Sequence, residues 1–213
     1  LEGHFYTGSG NWCTWMFGAP VDNPSNNFTW AKWVTPSRDL TRLFEQNGDT
    51  KRYDETVAWY GCTWSNYYPA DNYAFMNKCR SSYSSIIKCR YADILLLKAE
   101  ALIMKGDLAG GADIIDRIRQ RAGIAKLTAD KKSSQQALLN AYLDERRMEL
   151  ALEGQRWFDL CRLDKVEEVM NAVYAKDSGR HAQRSPYNQF SYLLPIPQGA
   201  IDQNSNLVQN PGY

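Results

Sequence analysis
The chain has 213 residues, enough to bury a core as one large domain or two small ones. Its 25 Lys and Arg against 24 Asp and Glu leave a net charge of +1, so no global field draws in nucleic acid or an anionic membrane. Apolar and charged fractions are ordinary for a globular protein, but seven tryptophans and thirteen tyrosines suggest recognition surfaces as well as core.

The sequence changes character near residue 90. Residues 1–90 are short aromatic stretches broken by Gly, Pro, Asn and Ser, as in "GSGNWCTWMFGAPVDNPSNN". Only Arg38 to Gln46 has helical spacing there, with Leu40, Leu43 and Phe44 on one stripe. Six of the seven tryptophans precede residue 65, and long ordered loops of this kind are usually functional. Residues 91–213 are expected to hold helical pairs plus an extended tail, the whole forming one structural unit. Tyr91 to Lys105 carries Leu95, Ala99 and Leu102 at helical spacing, with Gly106 as a left-handed stop. Asp107 is placed to cap a second helix, with Ala112, Ile115 and Ile118 on one face and Gly123 at its end. So short a connection forces an antiparallel hairpin of tetratricopeptide type. A third helix opens at the capping box Ser133-Ser134-Gln135-Gln136 and is expected to run to Gly154. A fourth segment starts at Gln155, is re-capped at Asp164, and continues to about Ala175. From Ser185 the chain reads as irregular, since the prolines of "LPIP" forbid a helix or central strand; Leu193, Leu194 and Ile196 are expected to insert between helices.

The five cysteines form no C-x-x-C pair and there are two histidines, so neither a zinc site nor any other cofactor is expected. Cys79 and Cys89 are candidates to bridge a short loop in an oxidising compartment. The longest apolar run, Ile94 to Leu97, is too short to cross a bilayer and is interrupted by Lys98. No signal peptide is evident, and "LEGHF" does not read as a natural start.

"YLDERRMELALEGQRWFDLCR", residues 142–162, interleaves charge with large apolar groups. A helix apolar nearly all round is buried between layers, and buried charges must be paired. Glu145, Arg146, Arg147, Glu149, Glu153, Arg156, Asp159 and Arg162 are therefore assigned to a structural ion network, with Arg117, Arg119 and Arg121 as further partners. The competing assignment makes Glu145 and Glu149 the acid and base of a glycoside hydrolase. They sit one helical turn apart, roughly 6 Å at the backbone. Neighbouring arginines would hold both ionised, whereas a general acid needs a raised pKa.

Four stretches, "RYADILLLKAEAL", "ERRMELALEGQRWFDLCR", "YLLPIPQGAID" and "NLVQNPGY", resemble the C-terminal half of the SusD/RagB family of surface nutrient-binding lipoproteins from Bacteroidetes. "TPSRDLTRLFEQNGDTKRYDETV" extends the resemblance back to about residue 35. The resemblance implies a mainly α protein of tetratricopeptide-like pairs and irregular aromatic loops. It implies binding of an oligosaccharide or other nutrient without catalysis, on the outer face of the outer membrane, over a SusC-like TonB-dependent transporter. Family members are more than twice as long, so the chain is expected to be a fragment. The lipid-bearing cysteine and the first helix pairs would lie outside it.

Sugars stack C–H faces on aromatic rings and accept hydrogen bonds from polar side chains. "GSGNWCTWMF" and "WYGCTWSNYYPADNY" supply both, and Trp12, Trp15, Trp64, Asn66, Tyr67 and Tyr68 are the candidate glycan contacts. The competing assignment for each is a core aromatic pinning a loop. Two other functions stay open: a tetratricopeptide scaffold binding a peptide or helix, and the hydrolase above. No P-loop, G-x-G-x-x-G or G-x-S-x-G is present, and basic residues are dispersed among acids, which gives nucleic-acid binding no support.

Overall fold
The structure is a computed structural model describing residues 2–3, 35–62, 66–78, 86–176 and 186–213. The chain divides into two compact units, Leu1–Gln155 and Arg156–Tyr213.

In the first unit, strand β1 (Glu2–Gly3) contributes only its backbone to the description. Helix α1 (Arg38–Asn47) is capped by Ser37, whose hydroxyl accepts from the Leu40 amide at 3.1 Å, and it stops at Gly48 in the left-handed conformation (φ 62°). Asp49 then caps a second helix, α2 (Thr50–Thr56), which sequence periodicity did not reveal. At seven residues α2 is too short to show a stripe, although the Gly-Asp junction is a stop followed by a start. Strand β2 (Val57–Tyr60) pairs antiparallel with β3 (Tyr73–Met76), Val57 opposite Met76 and Tyr60 opposite Tyr73. Strand β4 (Ile86–Ile87) pairs antiparallel with β1. The β2–β3 ladder carries an aromatic core of Tyr67, Tyr68, Tyr73 and Phe75, flanked by Tyr53 and Trp59.

Helices α3 (Tyr91–Met104) and α4 (Leu108–Ala122) form the expected hairpin. Gly106 supplies φ 88° at the turn, and the Asp107 carboxylate accepts from the Gly110 amide at 2.9 Å. The hairpin closes tightly because position 111 is glycine. A Cβ there would stand 2.6 Å from Ile103 Cγ1 and 3.2 Å from the Ala99 carbonyl oxygen. After a 3₁₀ turn at Asp130–Lys132, helix α5 (Gln135–Glu149) packs on both α3 and α4. Its cap is Ser134, accepting from the Ala137 amide at 3.1 Å, one residue later than the S-x-x-Q box predicts. The Gln135 amide instead donates to the Ile103 carbonyl, at 2.7 Å. Leu96, Ile103, Ile115, Leu138, Tyr142 and Met148 make the interior of this stack. Leu40 and Phe44 of α1 join it through Met148 and Ala151.

Helix α5 ends at Glu149 rather than Gly154. Lys78 Nζ donates to the Glu149 carbonyl at 2.9 Å, and Arg90 donates to the same oxygen. Cations at a helix C-terminus satisfy carbonyls that would otherwise seek the next turn. The chain then turns through Leu152 (φ 63°) and Gly154 (φ 81°).

The second unit holds α6 (Arg156–Arg162), α7 (Val166–Lys176) and α8 (Gln198–Gln203). Asp164 is left-handed (φ 53°) between α6 and α7, and its carboxylate accepts from the Tyr192 hydroxyl at 2.7 Å. The tail contains α8 where no helix was expected, and Leu193 and Leu194 are exposed rather than inserted. Polar closure explains this. Asn210 donates to the Leu194 carbonyl (2.6 Å), Tyr213 to the Leu193 carbonyl (2.8 Å), and the Gln209 amide brackets Ile196 from both sides. The prolines on either side of Ile196 offer no N–H, so a side-chain amide does the work of a neighbouring strand.

Candidate functional site
Trp12, Trp15, Trp64 and Cys79 lie outside the described residues. Cys89 does not form the disulfide that the sequence suggested, because its sulfur is a thiol that donates to the Asp93 carboxylate at 3.7 Å. Asn66 is exposed. Tyr67 and Tyr68 are buried in the aromatic core beneath it. The Tyr67 hydroxyl accepts from the Arg38 amide at 2.9 Å, and the Arg38 guanidinium lies 4.5 Å from the Tyr67 ring centroid. The Tyr68 hydroxyl donates to the Pro36 carbonyl at 2.9 Å, and its ring meets Trp59, Tyr67 and Tyr73 edge-on at 5.1, 4.8 and 5.6 Å. Burial pushes the Tyr68 phenol well above its usual range. Both tyrosines thus have their rings and hydroxyls engaged by protein. They fix the backbone at 67–68, directly after the segment that carries Trp64 and Asn66.

The carboxylates of α5, with Glu153 just beyond its end, meet cations from four other segments. Glu145 is fully buried and accepts from Arg52 of α2 (2.7 Å) and Arg119 of α4 (3.0 Å). Glu149 accepts from Arg52 (3.0 Å), from Arg90 ahead of α3 (2.5 Å) and from Arg121 of α4 (2.5 Å). Glu153 takes Lys78 (2.6 Å) and Arg90 (2.8 Å). Arg52 is held in turn by Asp49, which caps α2 and is itself buried. On the other faces of α5, Arg146 pairs with Asp93 at 2.7 Å and Arg147 with Asp39 at 2.5 Å. In the second unit Arg162 closes on Asp159 within α6, at 2.8 Å. Arg156 is half-buried.

The two central carboxylates respond oppositely to this environment. Burial pushes Glu145 above the usual carboxylate range, against the pull of Arg52 and Arg119. Burial also opposes ionisation of Glu149, but hydrogen bonds from Arg121 and Arg90 outweigh it and bring the carboxyl down to about 2. A glycosidase would need Glu145 to reach a sugar, and no part of that side chain is exposed. The arrangement is therefore a clasp: it locks the α2 segment, the strand exit at Lys78, the α3 entry and α4 onto one helix. Sequence reasoning found Arg119 and Arg121 but missed Arg52, Arg90 and Lys78, which lie 59 to 97 residues away from their partners. The expected partner Arg117 is exposed.

Among the described residues there is no His, Cys, Asp or Glu group suited to hold a metal ion, and no helix long and apolar enough to cross a membrane.

Comparison with known proteins gives the architecture its context. The model of the SusD family matches residues 80–213. SusD-like protein P2 of Formosa agariphila is 34% identical over 147 residues, covering 64% of this chain and 28% of the relative. A SusD superfamily crystal structure from Parabacteroides distasonis superposes with a TM-score of 0.72 at 23% identity, covering all of this chain and 49% of that one. Surface glycan-binding protein A of Bacteroides uniformis gives a TM-score of 0.57 at 23% identity, covering 81% of this chain and 40% of that one. These structural likenesses establish a mainly α, SusD-like fold. The chain spans under a third of the curated relative's length and between two-fifths and half of the solved structures'. With the family model matched across well over half its residues, the chain belongs to the SusD family.

Proposed function
We propose that this protein binds an oligosaccharide at the bacterial cell surface and hands it to a SusC-like TonB-dependent transporter in the outer membrane, without catalysing a reaction. Family membership carries the proposal. The fold shared with a protein named for surface glycan binding supports the ligand class. The neutralised carboxylates of α5 and of Glu153 support a non-catalytic role, since their oxygens are taken up by guanidinium and ammonium groups.

In this proposal Trp12, Trp15, Trp64 and Asn66 contact the sugar, and Tyr67 and Tyr68 hold the loop from below. Attachment to the membrane is through a lipid anchor. A glycan array with the full gene product, followed by a hydrolysis assay on each hit, tests the function. Binding without turnover is the expected result, with Trp64→Ala or Asn66→Ala weakening affinity about tenfold, as for loss of one stacking or hydrogen-bonding contact of about 1.4 kcal/mol. Release of product, abolished by Glu149→Gln, would overturn it; so would a protein that retains no glycan at all.

A further inference from the structure
Three tyrosine hydroxyls converge on the residues that lead into α1. Tyr73 shares a hydrogen bond with the Thr35 hydroxyl at 3.1 Å, Tyr68 donates to the Pro36 carbonyl at 2.9 Å, and Tyr67 accepts from the Arg38 amide at 2.9 Å. Tyr67 and Tyr68 belong to the connection between β2 and β3, which also carries the exposed Asn66. The neck of that connection is closed by the Cys62 amide, which donates to the Ala70 carbonyl at 2.7 Å. The clasp holds the base of the hairpin, through Arg52 ahead of β2 and Lys78 beyond β3. Where the connection itself sits therefore depends on what holds residues 35–38.

Residues 35–37 lie outside any helix or strand, and an irregular segment keeps one conformation only where tertiary partners fix it. Arg147 supplies such partners. Its guanidinium reaches from α5 to Asp39 at 2.5 Å and to the Ser37 hydroxyl at 3.3 Å, so it grips both neighbours of Arg38, whose amide meets Tyr67. A planar fork holding two points fixes orientation as well as distance. The Arg147 and Asp39 side chains are only 15 and 20% exposed, which limits screening of the pair by salt. This contact lies on a different face of α5 from Glu145 and Glu149, so the clasp does not depend on it.

We propose that Arg147 is a positioning residue for sugar binding. Through Ser37 and Asp39 it fixes residues 35–38, and through the hydroxyls of Tyr67 and Tyr68 it fixes the backbone that presents Asn66. The inference rests on the glycan-binding role proposed above, to which it adds a residue that touches no sugar. Molecules whose loop is out of place do not bind, so the apparent affinity falls with the fraction in place.

Two readouts on the full gene product test this. One is the dissociation constant for the array glycan that the unsubstituted protein retains most strongly. The other is hydroxyl-radical labelling of Tyr67 and Tyr68, which are 5 and 7% exposed. Arg147→Ala should speed labelling of both tyrosines and weaken glycan binding, each by about fivefold for loss of one part-buried ion pair, while the core residue Tyr142 stays protected. Arg147→Lys keeps the charge opposite Asp39 and should recover part of both effects. Lys132→Ala breaks a pair with Asp116 (2.6 Å) elsewhere in the first unit, and should lower the melting temperature without changing either readout. Should Arg147→Ala not fold, Asp39→Asn weakens the same pair without leaving a cavity and should give the same two shifts. Unchanged labelling would overturn the proposal. Faster labelling with undiminished glycan affinity would do so too, since it would leave Arg147 a structural role alone. Equal losses in Lys132→Ala would mean general loosening and would also overturn it. An unsubstituted protein that retains no glycan would overturn the proposed function and this inference together, and that result is visible before any variant is compared.

Discussion

Replacing Glu149 by Gln isolates the charge at the centre of the clasp, because Gln has the shape of the protonated acid. Glu149 has almost no exposed side chain and faces Arg52, Arg90 and Arg121. Its pKa is held down from 4.5 to about 2, with guanidinium hydrogen bonds overcoming the burial that would raise it. That depression corresponds to about 3 kcal/mol of stability at neutral pH. The folded pKa lies below the unfolded one, so the stabilisation is fully present above about 4.5 and is lost as the pH falls towards 2. Glu145 has the opposite sign, its raised pKa working against stability as it ionises, but it is common to both proteins and largely drops out of the difference. Urea denaturation followed by circular dichroism at pH 7, 4.5 and 2.5 measures the effect. Glu149→Gln should be about 3 kcal/mol less stable at pH 7, and the gap should fall below about 1 kcal/mol at the lowest pH. A gap that stays constant across the pH range would refute the electrostatic account, since it would mean the substitution disturbs packing and not charge.

Two further substitutions test the scaffold. Gly111→Val drives a branched side chain into Ile103 and the Ala99 carbonyl at the α3–α4 crossing and should cost about 1–3 kcal/mol in chemical denaturation. Ser134→Ala removes the hydroxyl that accepts from the Ala137 amide and should cost about 1 kcal/mol, whereas Ser133→Ala should cost less, since its hydroxyl donates to the Asp130 carbonyl and caps nothing.

The α3–α4 hairpin was legible because its signals are local: periodic apolar residues, Gly106 with positive φ, and Asp107 three residues before the amide it caps. The end of α5 was not legible, because what stops it is Lys78 and Arg90 reaching its last carbonyl from 71 and 59 residues away. A sequence window sees "MELALEG" as uninterrupted helix and has no access to those cations. The same blindness hid Arg52 and suggested Arg117, which has helical spacing with Arg121 but faces water. For the candidate site, composition identified an aromatic segment without ranking its members. Tyr67 and Tyr68 differ from Asn66 only through tertiary partners, Arg38 and Pro36, some thirty residues upstream. The tail's LPIP segment was correctly denied regular structure, but the amide of Gln209 that stands in for a strand partner lies 13 residues on and leaves no periodic trace.

Arg52 reaches Glu145 and Glu149 across 93 and 97 residues of chain, and Lys78 reaches Glu153 across 75. Such distant closures form late, after the local hairpin and its third helix have nucleated. On the ribosome Arg52 and Lys78 are synthesised before the carboxylates at 145–153 that they close on. Until residue 153 has left the exit tunnel, the helix of Arg52 and the strand exit at Lys78 have no carboxylate of this clasp to close on.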